Sequence, residues 1–185
     1  LSERTKILQG HNIDKQWLNQ VEKEISKTGL DIYKSRYFQL NIINETIKEL
    51  SKSNKFRFNV QLKIKDNFYK STLNYEEYLM SLNQSRHLDK LNGVSKIGPH
   101  RSDIIAIIDN DYDASLLSTG QQKTVVLMIL LAQCKFLVKI KKITPVLLFD
   151  EICSHLDSVN RQLLLDMINS FDIQFFLTGT DKNLF

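Results

Sequence analysis

Residues 145 to 157 read Pro145-Val-Leu-Leu-Phe-Asp-Glu-Ile-Cys-Ser-His-Leu-Asp157, and they restrict the fold more than any other stretch. The apolar run Val146 to Phe149 ends in two adjacent acids, Asp150 and Glu151. A short apolar run behind a proline predicts a buried strand of a parallel sheet. In open α/β sheets, ligands bind outside the carboxyl ends of the strands. Both acids therefore fall at a rim where a ligand would sit. Neighbouring carboxylates repel, and a fold that keeps them together generally has a cation or a proton to manage. Asp150 is placed to hold Mg²⁺ through its water shell, and Glu151 to orient or deprotonate an attacking water. The plainer alternative is a strand that ends in two solvated acids before a turn.

What lies on either side sharpens that choice. Upstream, Leu117-Ser-Thr-Gly-Gln-Gln-Lys123 precedes the long apolar segment Thr124 to Val138. That segment is too long for an ordinary strand and predicts a helix buried nearly all round. Ser118 falls at its N-cap, and Gly120 lets another backbone approach closely. Free N–H groups and the dipole at a helix start attract anions. Ser118 Oγ, the Gly120 amide and the Gln121 side chain could together hold a terminal phosphate; an ordinary capped helix is the alternative. Downstream, a helix is expected from Ser158, then a buried strand from Phe171 to Leu177, giving a βαβ unit with right-handed crossover. Thr178 stands at the end of that strand, where its hydroxyl either reports on a terminal phosphate or closes a plain turn.

The first half is patterned differently. Asp14 is a cap for a helix carrying Trp17, Leu18, Val21 and Ile25, with Thr28-Gly29 as its stop. Asp31 starts a second helix through about residue 52, so the pair predicts an antiparallel helical hairpin. Lys34, Arg36, Lys48 and Lys52 lie along the second helix. From Phe56 to Lys65 apolar and polar residues alternate, which predicts a strand with a cationic face of Arg57, Lys63 and Lys65. Helical period returns over residues 74 to 91. Asn92-Gly93 marks a boundary, so residues 1–92 form one domain and 93–185 another. Gly98-Pro99 presents His100 and Arg101, either to a phosphate or with Arg101 paired to Asp103. Ile104 to Ile108 and the Asp109-Asn-Asp111 turn predict a hairpin.

Composition excludes several classes. The longest apolar run, Val125 to Ala132, is too short to span a membrane. The opening Leu1-Ser-Glu-Arg-Thr-Lys is no signal peptide. Cys134 and Cys153 make neither a disulfide framework nor a metal site, which suits a reducing cytoplasm. Residues 1–92 hold 16 Lys+Arg against 11 Asp+Glu, a net +5, while residues 93–185 hold 9 against 10, a net −1. A basic first half suits a polyanion such as DNA, although each lysine alone is equally at home on a solvated face.

These residues carry a resemblance. Leu117 to Lys123 resembles the signature loop of ABC-type ATPases, Leu147-Leu-Phe-Asp-Glu151 resembles Walker B, and Ser154-His-Leu-Asp157 resembles the D-loop. With Gly98-Pro-His-Arg101 and Phe176-Leu-Thr-Gly-Thr180, the set is similar to the C-terminal half of the RecF family, relatives of SMC heads. The resemblance is dense from 96 to 185. It implies an α/β fold, the C-terminal part of an ABC-type (P-loop NTPase) ATPase head with an adjoining helical arm. It implies cytoplasmic DNA replication and repair at gaps, SOS induction, binding of ATP and Mg²⁺, and RecO- and RecR-like partners. It also implies an ATP-dependent homodimer, or pairing with a half that bears Walker A. Ser118 and Gly120, with Gln121, would touch the terminal phosphate held by the opposite subunit. Asp150 would serve Mg²⁺, Glu151 would be the base, and Asp157 would organise the seam beside the nucleotide.

One departure is large. No Gly-x-x-x-x-Gly-Lys-Ser/Thr occurs in the 185 residues. With Leu1 in place of Met, the expectation is a fragment or the product of an interrupted gene, unable to hydrolyse ATP alone. The competing reading is a non-enzymatic DNA-binding or interaction module that has lost ATP. A transporter ATPase subunit ranks last, because the usual switch histidine does not follow the final strand.

Overall fold

The computed structural model describes residues 1–53, 59–151, 158–169 and 173–179. Arg57, the D-loop candidates Ser154 to Asp157, and Thr180 lie outside them. By contacts the chain divides into two compact units, residues 1–38 with 64–104 and residues 39–63 with 105–185. They interleave along the sequence rather than following a single cut.

Helix α1 (Ser2–Gln9) and helix α3 (Tyr75–Asn92) pack together in the first unit. Asn74 caps α3 reciprocally with Glu77, and Gly93 ends it in the left-handed conformation. The expected helical hairpin is instead one helix, α2 (Lys15–Ser53), running through Thr28-Gly29 and Asp31 without a break. Gly29 serves close packing, not termination. A Cβ built there would stand 2.6 Å from Tyr78 Cε1 and 2.9 Å from its hydroxyl. Tyr78 is wholly buried with Leu30, Tyr33 and Leu82 in the core of this unit, and burial pushes its phenol up to about 12. On its other side a Cβ at Gly98 would meet the same hydroxyl at 2.5 Å.

The ring thus has no room to yield. Gly29→Ala gains about 1 kcal/mol of helix propensity but overpacks a fixed ring, at about 1–3 kcal/mol. We expect a net loss near the upper end of that difference, read by denaturant unfolding. The Tyr78 hydroxyl is buried without a hydrogen-bond partner. Tyr78→Phe should therefore be neutral or stabilising and should rescue part of the Gly29→Ala loss.

In the second unit, strand β1 (Val60–Lys65) buries Val60 and Leu62 and exposes Lys63 and Lys65, as the alternation predicts. The α2 side chain Asn44 accepts from the Leu62 amide at 2.8 Å and donates to its carbonyl at 2.9 Å. Strand β2 (Asp103–Ile108) and the short β3 (Tyr112–Asp113) form the expected antiparallel hairpin. Asp109 and Asn110 take φ of 51° and 64° in its turn, a conformation that Asp and Asn tolerate. Sheet order is β1-β2-β3.

Helix α4 (Thr119–Phe136) packs against α5 (Ser158–Asn169), and α5 lies between two parallel strands in sequence. Those strands are β4 (Val146–Phe149) and β5 (Gln174–Leu177), paired Val146 to Gln174 through Phe149 to Leu177. The βαβ expectation holds in order and in parallel pairing. Residues 171 and 172, expected at the start of β5, lie outside the described residues. Helix α4 is less enclosed than expected. Leu127, Met128 and Leu131 are buried, but Val126 and Leu130, one turn apart, stand exposed because no described element covers that stripe.

Candidate functional site

Two clusters in the second unit hold the candidate site residues. The first is the start of α4. Ser118 is its N-cap: Ser118 Oγ accepts from the Gln121 amide at 3.4 Å, and the Gln121 side chain accepts from the Ser118 amide at 3.1 Å. This reciprocal box satisfies two otherwise orphaned donors. The Gln121 carbonyl oxygen is therefore occupied by the start of its own helix. Gln122, which the sequence reading passed over, sets the approach to the helix. Its Nε2 donates to the Ser115 and Leu117 carbonyls, both at 2.9 Å. The only signal for it was the doubled glutamine behind Gly120. Ser118 is exposed and Gly120 half-buried.

The second cluster stands at the carboxyl ends of β4 and β5. Thr178 Oγ1 donates to Asp150 Oδ1 at 2.6 Å and accepts from the Glu151 amide at 3.0 Å. The Thr178 amide continues the sheet ladder onto the Phe149 carbonyl at 2.9 Å. One hydroxyl thus bonds the Asp150 carboxylate and the Glu151 backbone. Glu151 has φ of 47°, in the left-handed region. A non-glycine residue there carries strain of roughly 1–3 kcal/mol, a feature concentrated at functional sites. Both carboxylates are exposed. Among the described residues the two clusters share no hydrogen bond.

Does Asp150 fit Mg²⁺? Thr178 engages one of its oxygens, and no group of three or more potential ligands is found among the described residues.

The candidate DNA contacts fall into different situations. Lys34, Lys52, Lys63 and Lys65 are exposed. Lys48 is exposed and pairs with Glu45 at 2.7 Å. Arg36 is engaged within its own unit: it donates to the Pro99 carbonyl at 2.6 Å and to Ser102 Oγ. It clamps the turn Pro99–Arg101, where His100 Nε2 meets the Ser95 carbonyl at 2.9 Å. Arg101 and Asp103 form no ion pair among the described residues.

Comparison with known proteins places this geometry. No family model matches the chain. A solved structure of the recombination mediator protein RecF with ATP superposes at a TM-score of 0.81 and 21% identity, over 99% of this chain and 51% of that one. An SMC head bound to a winged-helix domain of ScpA superposes at 0.50 and 18% identity, over 98% of this chain and 46% of that one. The fold is the C-terminal part of an ABC-type ATPase head. The DNA replication and repair protein RecF of Rickettsia typhi is 34% identical over 98% of this chain, and that of Rhizobium etli 32%. Over almost its whole length the chain matches the C-terminal half of RecF proteins. It spans about half the length of these curated relatives, 51% and 50%.

Proposed function

We propose that this chain supplies the signature-loop and Walker B sides of an ATP-dependent DNA replication and repair protein of the RecF type. The observation that carries the reading is the Thr178 hydroxyl, which joins Asp150 and Glu151 at the end of a parallel strand pair. Asp150 would hold Mg²⁺ through water, and Glu151 would orient and deprotonate the attacking water. Mg²⁺, when bound, offsets the charge that develops on the phosphoryl oxygens. Ser118 and the Gly120 amide would meet the terminal phosphate at the start of α4. The phosphate cradle would come from residues outside this sequence.

The open sheet supports a missing layer. Val146, Leu148 and Phe176 are 54%, 75% and 53% exposed, on one face of the β4–β5 pair. Parallel sheets ordinarily bury both faces. On this reading residues 1–92 act as the arm beside the head lobe of residues 93–185. DNA, RecO- and RecR-like proteins and a second ATPase head are the partners, in the cytoplasm. No described helix is long and apolar enough to cross a membrane.

The test is binding of a fluorescent ATP analogue with Mg²⁺, to the chain alone and to its mixture with the N-terminal half of a RecF relative. Binding only in the mixture supports the reading; none in either overturns the nucleotide role and leaves a DNA-binding module. Duplex DNA affinity should fall steeply with salt, as phosphate-dominated binding does. Thr178→Val should cost less than about 1 kcal/mol of stability, because the bonds are exposed. It should nevertheless slow turnover in the mixture by releasing the Asp150 carboxylate and the Glu151 backbone.

A further inference from the structure

We propose that the lysine turn closing α4, Lys139, Lys141 and Lys142, contacts the phosphate backbone of DNA; this rests on the DNA-binding reading above. The net charge of −1 over residues 93–185 hides this patch. Residues 114–149 contain five lysines, Lys123, Lys135, Lys139, Lys141 and Lys142, and no acid. Residues 139 to 144, Lys-Ile-Lys-Lys-Ile-Thr, are all exposed.

The backbone holds these lysines in an uncommon way. Helix α4 passes into a π-helical turn over Leu137–Lys141, and Lys142 then takes φ of 56°. The Ile143 amide closes the turn on the Leu137 carbonyl at 3.1 Å. π-turns are rare and concentrate at functional sites. The left-handed position after a helix favours glycine, and a side chain there costs roughly 1–2 kcal/mol. Here it carries a lysine.

The charges are also free of close ion pairs among the described residues, with the Lys141 ammonium 5.9 Å from the centre of the Phe136 ring. Lys135 pairs with Glu49 of α2 at 2.7 Å, and that bond, reinforced by Lys139, holds the Glu49 carboxyl below its ordinary range. No described carboxylate is within ion-pair distance of Lys139, Lys141 or Lys142. Ile140 and Ile143, 52% and 54% exposed, flank Lys141 and Lys142. The isoleucines add apolar contact area beside the cations, and the unpaired lysines carry the inference. The regular spacing of cations along a polyanion is the chemistry that matches it.

The test is fluorescence anisotropy of labelled duplex DNA with the 185-residue chain across a salt series. Lys139→Glu/Lys141→Glu/Lys142→Glu should weaken binding tenfold or more near 0.1 M salt and flatten the salt slope by roughly two to three. A control of equal charge, Lys15→Glu/Lys23→Glu/Lys27→Glu on the exposed start of α2, should do much less. Reversal at a helix end removes favourable dipole interactions, so Lys142→Gly is the companion variant. It should raise thermal stability while lowering affinity severalfold. If the turn variants bind no worse than the control, or Lys142→Gly leaves affinity unchanged, the inference is overturned alone. If the unaltered chain binds no DNA at low salt, the functional reading falls with it. Equal displacement of DNA by polyglutamate would assign the turn to an acidic polypeptide instead and overturn it.

Discussion

Arg4→Ala is expected to destabilise the first unit by about 3–5 kcal/mol, the cost of stranding buried charges. Arg4 is 1% exposed, and Glu22 and Asp89 beside it are 0% and 3%. Its guanidinium donates to Glu22 Oε1 at 2.8 Å, Asp89 Oδ2 at 2.7 Å and the Leu82 carbonyl at 2.8 Å. This fork ties α1 to both α2 and α3. Without it, Asp89 retains only the Ser85 hydroxyl among the described residues, at 2.6 Å. Arg4→Lys should rescue little, because an ammonium cannot reproduce three divergent donors. Arg86→Ala should cost far less: Arg86 is 26% exposed, and Glu22 would keep Arg4. The single tryptophan, Trp17, lies in the same unit, so its fluorescence during urea unfolding reports the relevant transition. A loss under about 1 kcal/mol, the scale of a surface pair, would refute the role assigned to this network.

That network was illegible in the sequence, and the reason is physical. Nothing in the local pattern of residues 1 to 10 marks Arg4 as buried. Its partners are 18 and 85 residues away. Burial of a charge is decided by tertiary neighbours that no local pattern records. Gly29 failed for a related reason. As a local signal, Thr-Gly before Asp31 is a good helix stop; only the Tyr78 ring shows that the glycine answers to packing. By contrast, Val146 to Glu151 was legible because strand and acids are adjacent in the chain. So was the N-cap at Ser118, a purely local device. Thr178 fell between these cases. Its place at a strand end could be read, but its bonds to Asp150 and Glu151 depend on the parallel register of β4 and β5. The lysine turn was missed because charge was summed over half the chain.

Glu151→Gln is expected to lower ATP turnover about 10²–10⁴-fold, the range for removing a general base, once the chain is combined with the N-terminal half of a RecF relative. Analogue binding should persist. Glutamine matches the side chain in size, and the backbone bond to Thr178 Oγ1 uses the residue 151 amide, which the substitution leaves in place. What changes is the capacity to accept a proton from water. Glu151→Gly separates chemistry from conformation. It relieves a φ of 47° and so should stabilise the strand end, yet it should be as inactive as the glutamine variant. Asp150→Asn should differ in kind, weakening Mg²⁺-dependent nucleotide binding as well as turnover. If Glu151→Gln keeps turnover within tenfold of the unaltered mixture, Glu151 is not the base. The strained backbone would then serve only to hold the strand end on Thr178.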